Sequence, residues 1–545
     1  MRTALACAAI VLLAGALRLW GIGWGLPNPD RTFSLHPDEG VNLVNGVLDR
    51  GVARPHLDIG FYNYGSFYFL LWQIAVAVNS AYGFVHGYAD PSLRLAAQDS
   101  IGAMLLVGRL LSASASALTC VILFLSGRRL ERGRAGAIAA TLFAVAPLAV
   151  VNGHFATVDS VATLIVACTM FAAFAYARHP STTTLSVAGV LAGLAAATRY
   201  NTALCALMPL VAIWRPGDQP ADGGYALRVR LTLLLTATCL AGFLIGCPGA
   251  LINSSKFRAD VLFEAAKSAR GMGALFEDTG NGWAYHYLVS LRHGLGWPAL
   301  ALVSLGVVIA LVRRDRSVWI PLAFLIPYYL MMGAAQVRFA RYMLPMLPGV
   351  VMLTGLALTA LDGRRWTGRT ALGTYALVVG WTAMIAVGYC RMMAGPDARD
   401  LALRSIRSDV SKGSSIAFAT TPWYWSPSLL PDFTSPIPGS ARRTQILSQP
   451  SDWILRLPRA DREWDMTALE DPSPSAVIVS DLESQDPVRL RRTDVLQFLR
   501  RAASGRRART FGGRPTILDL PLVSKGYLPN DLLYVCPTIT VYLSR

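Results

Sequence analysis

The chain has 545 residues, 53% hydrophobic and only 15% charged, with a mean hydropathy of +0.42. A soluble domain of this size could not bury so much apolar surface, so the composition excludes an ordinary globular protein and indicates a polytopic membrane protein. The formal net charge of +17 does not mark a nucleic-acid binder, because the positive residues sit largely in short loops between apolar runs, where they set topology and meet anionic lipid.

Taken in order, the first run is apolar to about Trp24. Arg18 and Trp20 stand where a signal peptide would carry its small-residue cleavage pattern, so the segment is expected to be the first span. The runs that can span are 4–24, 61–85, 101–126, 135–151, 160–177, 185–214, 230–252, 297–312, 318–333, 342–361 and 370–391. A span takes about 20 residues, so the shorter runs must be tilted or extended. Four basic clusters belong on the cytoplasmic side: Arg128, Arg129, Arg132 and Arg134; Arg215, Arg228 and Arg230; Arg313, Arg314 and Arg316; Arg364, Arg365 and Arg369.

That assignment lets 4–24 and 101–126 cross but not 61–85. Its aromatics, Phe61, Tyr62, Tyr64, Phe67, Tyr68, Phe69, Trp72 and Tyr82, suit a helix lying at the headgroups. An ordinary span with an external N-terminus is the alternative. The run 185–214, interrupted by Thr198-Arg199-Tyr200-Asn201, reads as two short helices that rise and return with Arg199 at their tip. Residues 25–100, 152–159, 253–296, 334–341 and 392–545 are then external.

Six of the eight cysteines fall in apolar runs, as ordinary packing material; Cys390 and Cys536 leave room for one disulfide if the terminal region is external. Beyond residue 393 the chain turns polar and carries Pro422, Pro427, Pro431, Pro436 and Pro438. Residues 415–419 and 476–480 read as buried strands and 397–411 and 488–502 as helices, so 394–545 is expected to be an external α/β domain following a membrane domain over 1–393.

Three places carry groups with chemistry. In His36-Pro37-Asp38-Glu39-Gly40, just past the first span, a carboxylate beside the membrane suits a general base or a metal ligand, with His36 able to modulate either; a solvated acidic pair is the plain alternative. Asp159, in a stretch that also holds His154, opens an apolar run. A carboxylate there suits a site facing the membrane, and equally a helix cap. His154 reads as a structural polar residue. In Gln336-Val337-Arg338-Phe339-Ala340-Arg341-Tyr342, helical spacing puts Arg338, Arg341 and Tyr342 on one face. Arginine forks bind phosphate oxygens, Tyr342 adds a donor, and Arg199 brings the same chemistry from the second hairpin; snorkelling toward headgroups is the alternative. The loop 253–296, with Lys256, Lys267, Arg270, His286, His293, Trp283, Tyr285 and Tyr287, suits a sugar or a headgroup but equally any interface.

Together these pieces resemble the phospholipid-carrier-dependent glycosyltransferases of the GT-C fold, the superfamily of the protein O-mannosyltransferases and the aminoarabinose transferase of lipid A. The matching elements are HPDEG at 36–40, NYGSFYFLL at 63–71, GRLLSASASAL at 108–118, HFATVDS at 154–160, GLAAATRYN at 193–201 and RFARYMLPMLP at 338–348, in register over about residues 1–393. The resemblance implies 11 to 13 membrane helices with juxtamembrane helices in the first external loop, and a polyprenyl-phosphate sugar as donor. It implies Asp38 as base and Arg199, Arg341 and Tyr342 on the donor phosphate; the reading that follows is inverting transfer, with Arg338 joining them on the phosphate. Glu39 and Asp159 would orient the acceptor or, with Asp38, hold a divalent cation. The acceptor would be a glycan, lipid or protein, and the chain a multi-pass protein of a bacterial plasma membrane with its site facing outward. Family members often carry lysine where Arg199 stands, and the terminal region matches no part of the family pattern. A transporter or flippase of a lipid-linked sugar is the competing class, and it would place charges near mid-membrane on inverted repeats.

Overall fold

Helix boundaries fall where the apolar pattern meets arginine, proline or an acid. In the computed structural model, which describes residues 2–49, 55–82, 98–214, 224–313, 316–360, 365–470, 472–517, 520–523 and 526–544, the long helix Gln98–Arg129 ends on Arg128 and Arg129. Their charges suit the negative end of the helix. A turn with Glu131 at φ 59° reverses the chain into Gly133–Val145. Asp159 opens the helix Asp159–Arg178 and Arg178 closes it, so acid and arginine each sit at the favourable end of the dipole.

Among the described residues six helices are long and apolar enough to cross a membrane, and up to seven if the bent pair Gly282–Leu295 and Trp297–Val312 is one span. Five shorter apolar helices accompany them: Leu5–Leu19, Phe67–Tyr82, Gly133–Val145, Thr182–Ala196 and Tyr200–Trp214. The run 135–151 is broken at Ala146-Pro147, where Gly133–Val145 gives way to the short helix Pro147–Asn152. Arg18, buried in the first helix, donates to the Ser116 hydroxyl at 2.7 Å and to the open carbonyl of Ala144 at 2.9 Å, which clamps that helix to its neighbours.

The two irregular runs follow the sequence reading in shape. Residues 61–66 are irregular and lead into Phe67–Tyr82, a 16-residue helix held to Gln98–Arg129 by Trp72 Nε1 donating to Met104 O at 2.9 Å; residues 83–85 lie outside the described residues. The run 185–214 is two helices, Thr182–Ala196 and Leu207–Trp214, with the 3-10 turn Tyr200–Ala206 between them and Thr198 and Arg199 at the reversal. Gly193 and Gly242 let Thr182–Ala196 and Gly224–Gly246 touch backbone to backbone. A Cβ on Gly193 would meet Cys239 O at 2.0 Å, and one on Gly242 would meet Val190 O at 2.3 Å. This close packing fixes the height at which Arg199 emerges.

The turn at 128–134 and the helix end at Arg313 each meet the end of a neighbouring helix. Arg178 pairs with Glu131 at 3.0 Å, and Arg313 donates to Ala360 O at 2.6 Å. Arg228 and Arg230 prove to be part of the helix Gly224–Gly246 rather than of a loop, because Gly224 at φ 52° starts that helix earlier than the apolar run does. Arg215, Arg314 and Arg364 lie outside the described residues. A 20-residue helix separates Asp159 from Arg178, about 30 Å at the α-helical rise.

Past residue 397 a five-stranded sheet forms, in the spatial order Ile454–Arg456, Ser415–Phe418, Ala476–Ser480, Thr538–Ser544, Arg506–Gly512. The first three are parallel and the last two run antiparallel to their neighbours. One face buries Leu403, Ile406, Ile416 and Ile478, the other Ala417, Val477, Val495 and Phe498, so Ala398–Asp409 and Thr493–Ala503 cover opposite sides. The expected helix 488–502 is broken at Arg491, φ 52°, into the end of Asp481–Arg489 and the start of Thr493–Ala503. The terminal region does not stay with its sheet: Leu522, Leu528, Leu532, Leu533, Tyr534 and Cys536 join the core of the helical bundle. All eight cysteines are free. Cys390 is turned to Leu17 O and Cys536 to Leu532 O, so the disulfide that spacing left room for is not formed.

Candidate active site

Asp38 and Glu39 are consecutive residues of one short helix and meet opposite environments. The helix Pro37–Asn42 starts on Pro37, which needs no N–H partner there, and His36 Nδ1 accepts the Asp38 N–H at 3.3 Å. With Nδ1 accepting, the neutral ring carries its proton on Nε2. Burial between Phe155 and Tyr534, at ring separations of 4.3 and 5.1 Å, pushes His36 down to about 4.

The helix turns Glu39 inward, where its side chain is 0% exposed. Its oxygens accept from Arg109 Nε at 2.8 Å, Arg109 Nη2 at 2.7 Å, the Ala156 N–H at 2.7 Å and the Ser34 hydroxyl. Arg109 completes its fork by donating to Ile22 O and Trp24 O, both at 2.6 Å. Burial alone would raise the Glu39 carboxyl, but the Arg109 guanidinium outweighs it and holds the group below the ordinary glutamate range. Glu39 therefore bolts the first loop to the helix Gln98–Arg129, in place of the acceptor-orienting or cation-holding role expected for it. Arg109 was legible as a charge inside the apolar run 101–126, which in a membrane protein requires an internal partner.

Asp38 keeps 29% of its side chain exposed and pairs with Arg341 Nη2 at 2.8 Å. Burial works against its charge, but Arg341, with His36, Lys267 and Arg199, holds the carboxyl below the ordinary aspartate range. Arg341 Nη1 is buried without a hydrogen-bond partner, and the guanidinium lies 4.3 Å over the Phe339 ring. The turn that carries it is fixed from the far end of the chain: Asp531 accepts the Ala340 N–H at 3.1 Å and the Arg341 N–H at 2.7 Å. Burial holds the Asp531 carboxyl above its usual range despite those bonds.

Arg199 is ion-paired with Asp159 and lies 4.4 Å over the Tyr342 ring. Its reversal is tied to the first external loop, since the Tyr200 hydroxyl sits 2.9 Å from both Tyr62 O and Tyr64 O. Gly65 allows this approach, because a Cβ there would meet Ala197 O at 2.0 Å. Tyr64 stands among Asp38, Arg341, Tyr342 and Asp159, close enough for each to act on its phenol, which burial raises well above its ordinary range.

Asp38, Asp159, Arg199, Arg341 and Tyr342 thus converge, with Tyr64 and Asp531 added by the structure, while Arg109 belongs with Glu39 to the support beneath them. Arg338 does not join them. Its Nη1 donates to Thr279 Oγ1 and Gly280 O, both at 2.7 Å, because the segment 335–339 is extended rather than helical and turns Arg338 away from Arg341. His154 is structural: its ring nitrogens face Val150 O at 2.8 Å and Trp20 O at 3.1 Å. Each acid faces its own guanidinium, and no group of three His, Cys, Asp or Glu converges among the described residues. Asp38, Glu39 and Asp159 do not form a shared cation site, as Glu39 is sealed by Arg109.

Residues 98–244 match the family described as dolichyl-phosphate-mannose-protein mannosyltransferase. No curated protein sequence matches the chain. Among solved structures, ArnT from Cupriavidus metallidurans bound to undecaprenyl phosphate is similar over 99% of this chain and 97% of its own, at 13% identity and a TM-score of 0.51. The Archaeoglobus fulgidus oligosaccharyltransferase in its apo form is similar over 95% of this chain and 75% of its own, at 13% identity and a TM-score of 0.50. The same enzyme tethered to an acceptor peptide containing the NVT sequon gives a TM-score of 0.51 at 13% identity, over 95% of this chain and 74% of its own. The chain therefore shares the fold of these solved membrane glycosyltransferases, and residues 98–244 match a mannosyltransferase family, in agreement with the resemblance carried by its motifs.

Proposed function

We propose that this GT-C protein moves a sugar from a polyprenyl-phosphate carrier to an acceptor at the outer face of the membrane, with inversion at the anomeric carbon. The observation that supports this most directly is the Asp38–Arg341 pair: a partly exposed carboxylate held against a guanidinium whose second nitrogen is buried and unpartnered. A buried open donor is costly unless a ligand satisfies it, and a phosphate oxygen does so.

In this reading the donor phosphate meets Arg341, Arg199 and Tyr342. Asp159 holds Arg199 in place and neutralises it in the empty site. When the phosphate takes up Arg341, Asp38 loses part of its counter-charge and becomes a stronger base. An acceptor hydroxyl or amine then gives its proton to Asp38 and attacks the anomeric carbon. The bond from that carbon to the phosphate oxygen breaks, and the leaving phosphate keeps the electron pair, stabilised by Arg341, Arg199 and the Tyr342 hydroxyl. Glu39 and Arg109 act as scaffold and Arg338 anchors the loop at 279–280. Orientation follows from the arginine-rich end, placed inside by the positive-inside rule, a helix length away from Asp38 and Arg341.

Mass spectrometry of envelope glycans, lipids and glycoproteins from cells with and without the protein tests this reading and names both substrates. One saccharide modification should vanish while its polyprenyl-phosphate donor accumulates. Unchanged modification with altered carrier distribution across the membrane would favour transport instead.

A further inference from the structure

The terminal sheet places an aromatic cluster beside the proposed site. The chain leaves Ser415–Phe418, goes to Ile454–Arg456 on one side, and returns to Ala476–Ser480 on the other, so the order reverses between the first and third of these strands. Carboxyl ends of parallel strands at such a reversal form a crevice suited to ligands. Here the crevice is bordered by Thr420 and by Ser480 and Glu483, and the segment following Thr420 carries Trp423, Tyr424 and Trp425, each only partly buried.

These rings meet edge to face, with centroids 4.8 Å apart for Trp423 and Tyr424, 5.0 Å for Tyr424 and Trp425, and 5.5 Å for Trp423 and Trp425. The cluster is built rather than incidental. Trp425 Nε1 donates to Thr420 Oγ1 at 3.1 Å, and that hydroxyl donates to Glu483. Arg442 stacks on Trp423 at 4.4 Å. Arg399 donates to Tyr424 O at 2.7 Å and to Tyr534 O at 2.8 Å, which sets the two tyrosines edge to face at 5.4 Å. Tyr534 in turn abuts His36 at 5.1 Å. An unbroken line of rings therefore runs from the sheet to the residue two before Asp38.

We propose that Trp423, Tyr424 and Trp425 form a carbohydrate-binding platform that holds the saccharide part of the acceptor while its nucleophile reaches Asp38. Partly exposed aromatic rings pair with the C–H faces of a sugar ring. The line of rings ends beside the base, and the donor phosphate is already claimed by Arg341, Arg199 and Tyr342, so the platform serves the acceptor. The proposal rests on the transferase reading, yet its binding step can be measured without transfer.

The test is saturation-transfer NMR on the full-length protein in nanodiscs, with the methyl glycosides of glucose, galactose, mannose and arabinose and a Ser/Thr-containing peptide as probes. Ring protons of at least one glycoside should be saturated by the wild type. Affinity should fall about tenfold in Trp423→Leu, the loss of one aromatic contact. Quenching of tryptophan fluorescence in the wild type by the same glycosides gives a second readout that needs no variant. Saturation of no glycoside, saturation confined to the peptide, or equal binding by Trp423→Leu would overturn the platform.

Discussion

The Arg341 backbone N–H donates to Asp531 at 2.7 Å, while the Arg341 side chain reaches Asp38 at 2.8 Å. One residue thus receives its position from the C-terminal segment and passes it to the first external loop. Asp531→Ala should unfasten the turn at 340–341 and weaken donor use about tenfold, through KM rather than kcat, because the guanidinium itself remains. Asp531→Glu should restore part of the loss. Steady-state kinetics with a polyprenyl-phosphate sugar checks both, and an unchanged KM would remove Asp531 from the positioning of Arg341.

The arginines should separate by geometry. Arg341→Lys keeps a charge but loses the fork, and should lower kcat/KM by at least about tenfold, whereas Arg341→Ala should lower it about a hundredfold or more. Arg338→Ala, whose partners are Thr279 and Gly280, should affect transfer far less. Equal losses for Arg338 and Arg341 would refute the division of roles drawn from their contacts.

Glu39 and Arg109 should behave as structure. Removing Glu39 alone leaves the Arg109 charge buried and unpaired, at a cost of about 3–5 kcal/mol. Glu39→Ala should therefore lower the melting temperature and the yield of monodisperse protein. The double variant Glu39→Leu/Arg109→Met should recover stability relative to Glu39→Ala. Thermal unfolding in detergent reads this directly.

Two pH effects follow. Asp38 is held below the ordinary aspartate range by Arg341, so it stays ionised as pH falls and is lost as a base only below its lowered value. In kcat/KM, which reports the free enzyme, activity should hold from pH 7 down to about 5, since an ordinary aspartate titrates near 4. Glu483 shifts the other way: burial pushes it up to about 7. A raised carboxyl binds its proton more tightly in the folded state, so its contribution to stability is present at low pH and is lost as pH rises toward 7. Glu483→Gln should flatten that slope in melting temperature between pH 5 and about 7.5.

The sequence conveyed more of the site than of its supports. Asp38, Arg199, Arg341 and Tyr342 were legible because charged or phenolic groups at the ends of apolar runs need a reason, and their positions matched a known motif order. The two strands 415–419 and 476–480 were legible as short apolar runs between turn residues. Arg338 misled because helical spacing was assumed through 338–342, whereas the 3-10 turn begins only at Ala340. Asp531 was hidden because its partners are backbone amides some 190 positions away, which no local pattern reports. Glu39 looked equivalent to Asp38 in sequence; only the turn of one short helix sends one acid inward and leaves the other at the site.

The central claim is that Asp38 removes the acceptor's proton. The decisive measurement compares wild type and Asp38→Asn, reconstituted in lipid, for transfer from a polyprenyl-phosphate sugar and for binding of the carrier phosphate. Loss of the base should cut transfer about a hundredfold or more while carrier binding persists, because Arg199, Arg341 and Tyr342 remain. Transfer at the wild-type rate by a folded, carrier-binding Asp38→Asn protein would contradict the account.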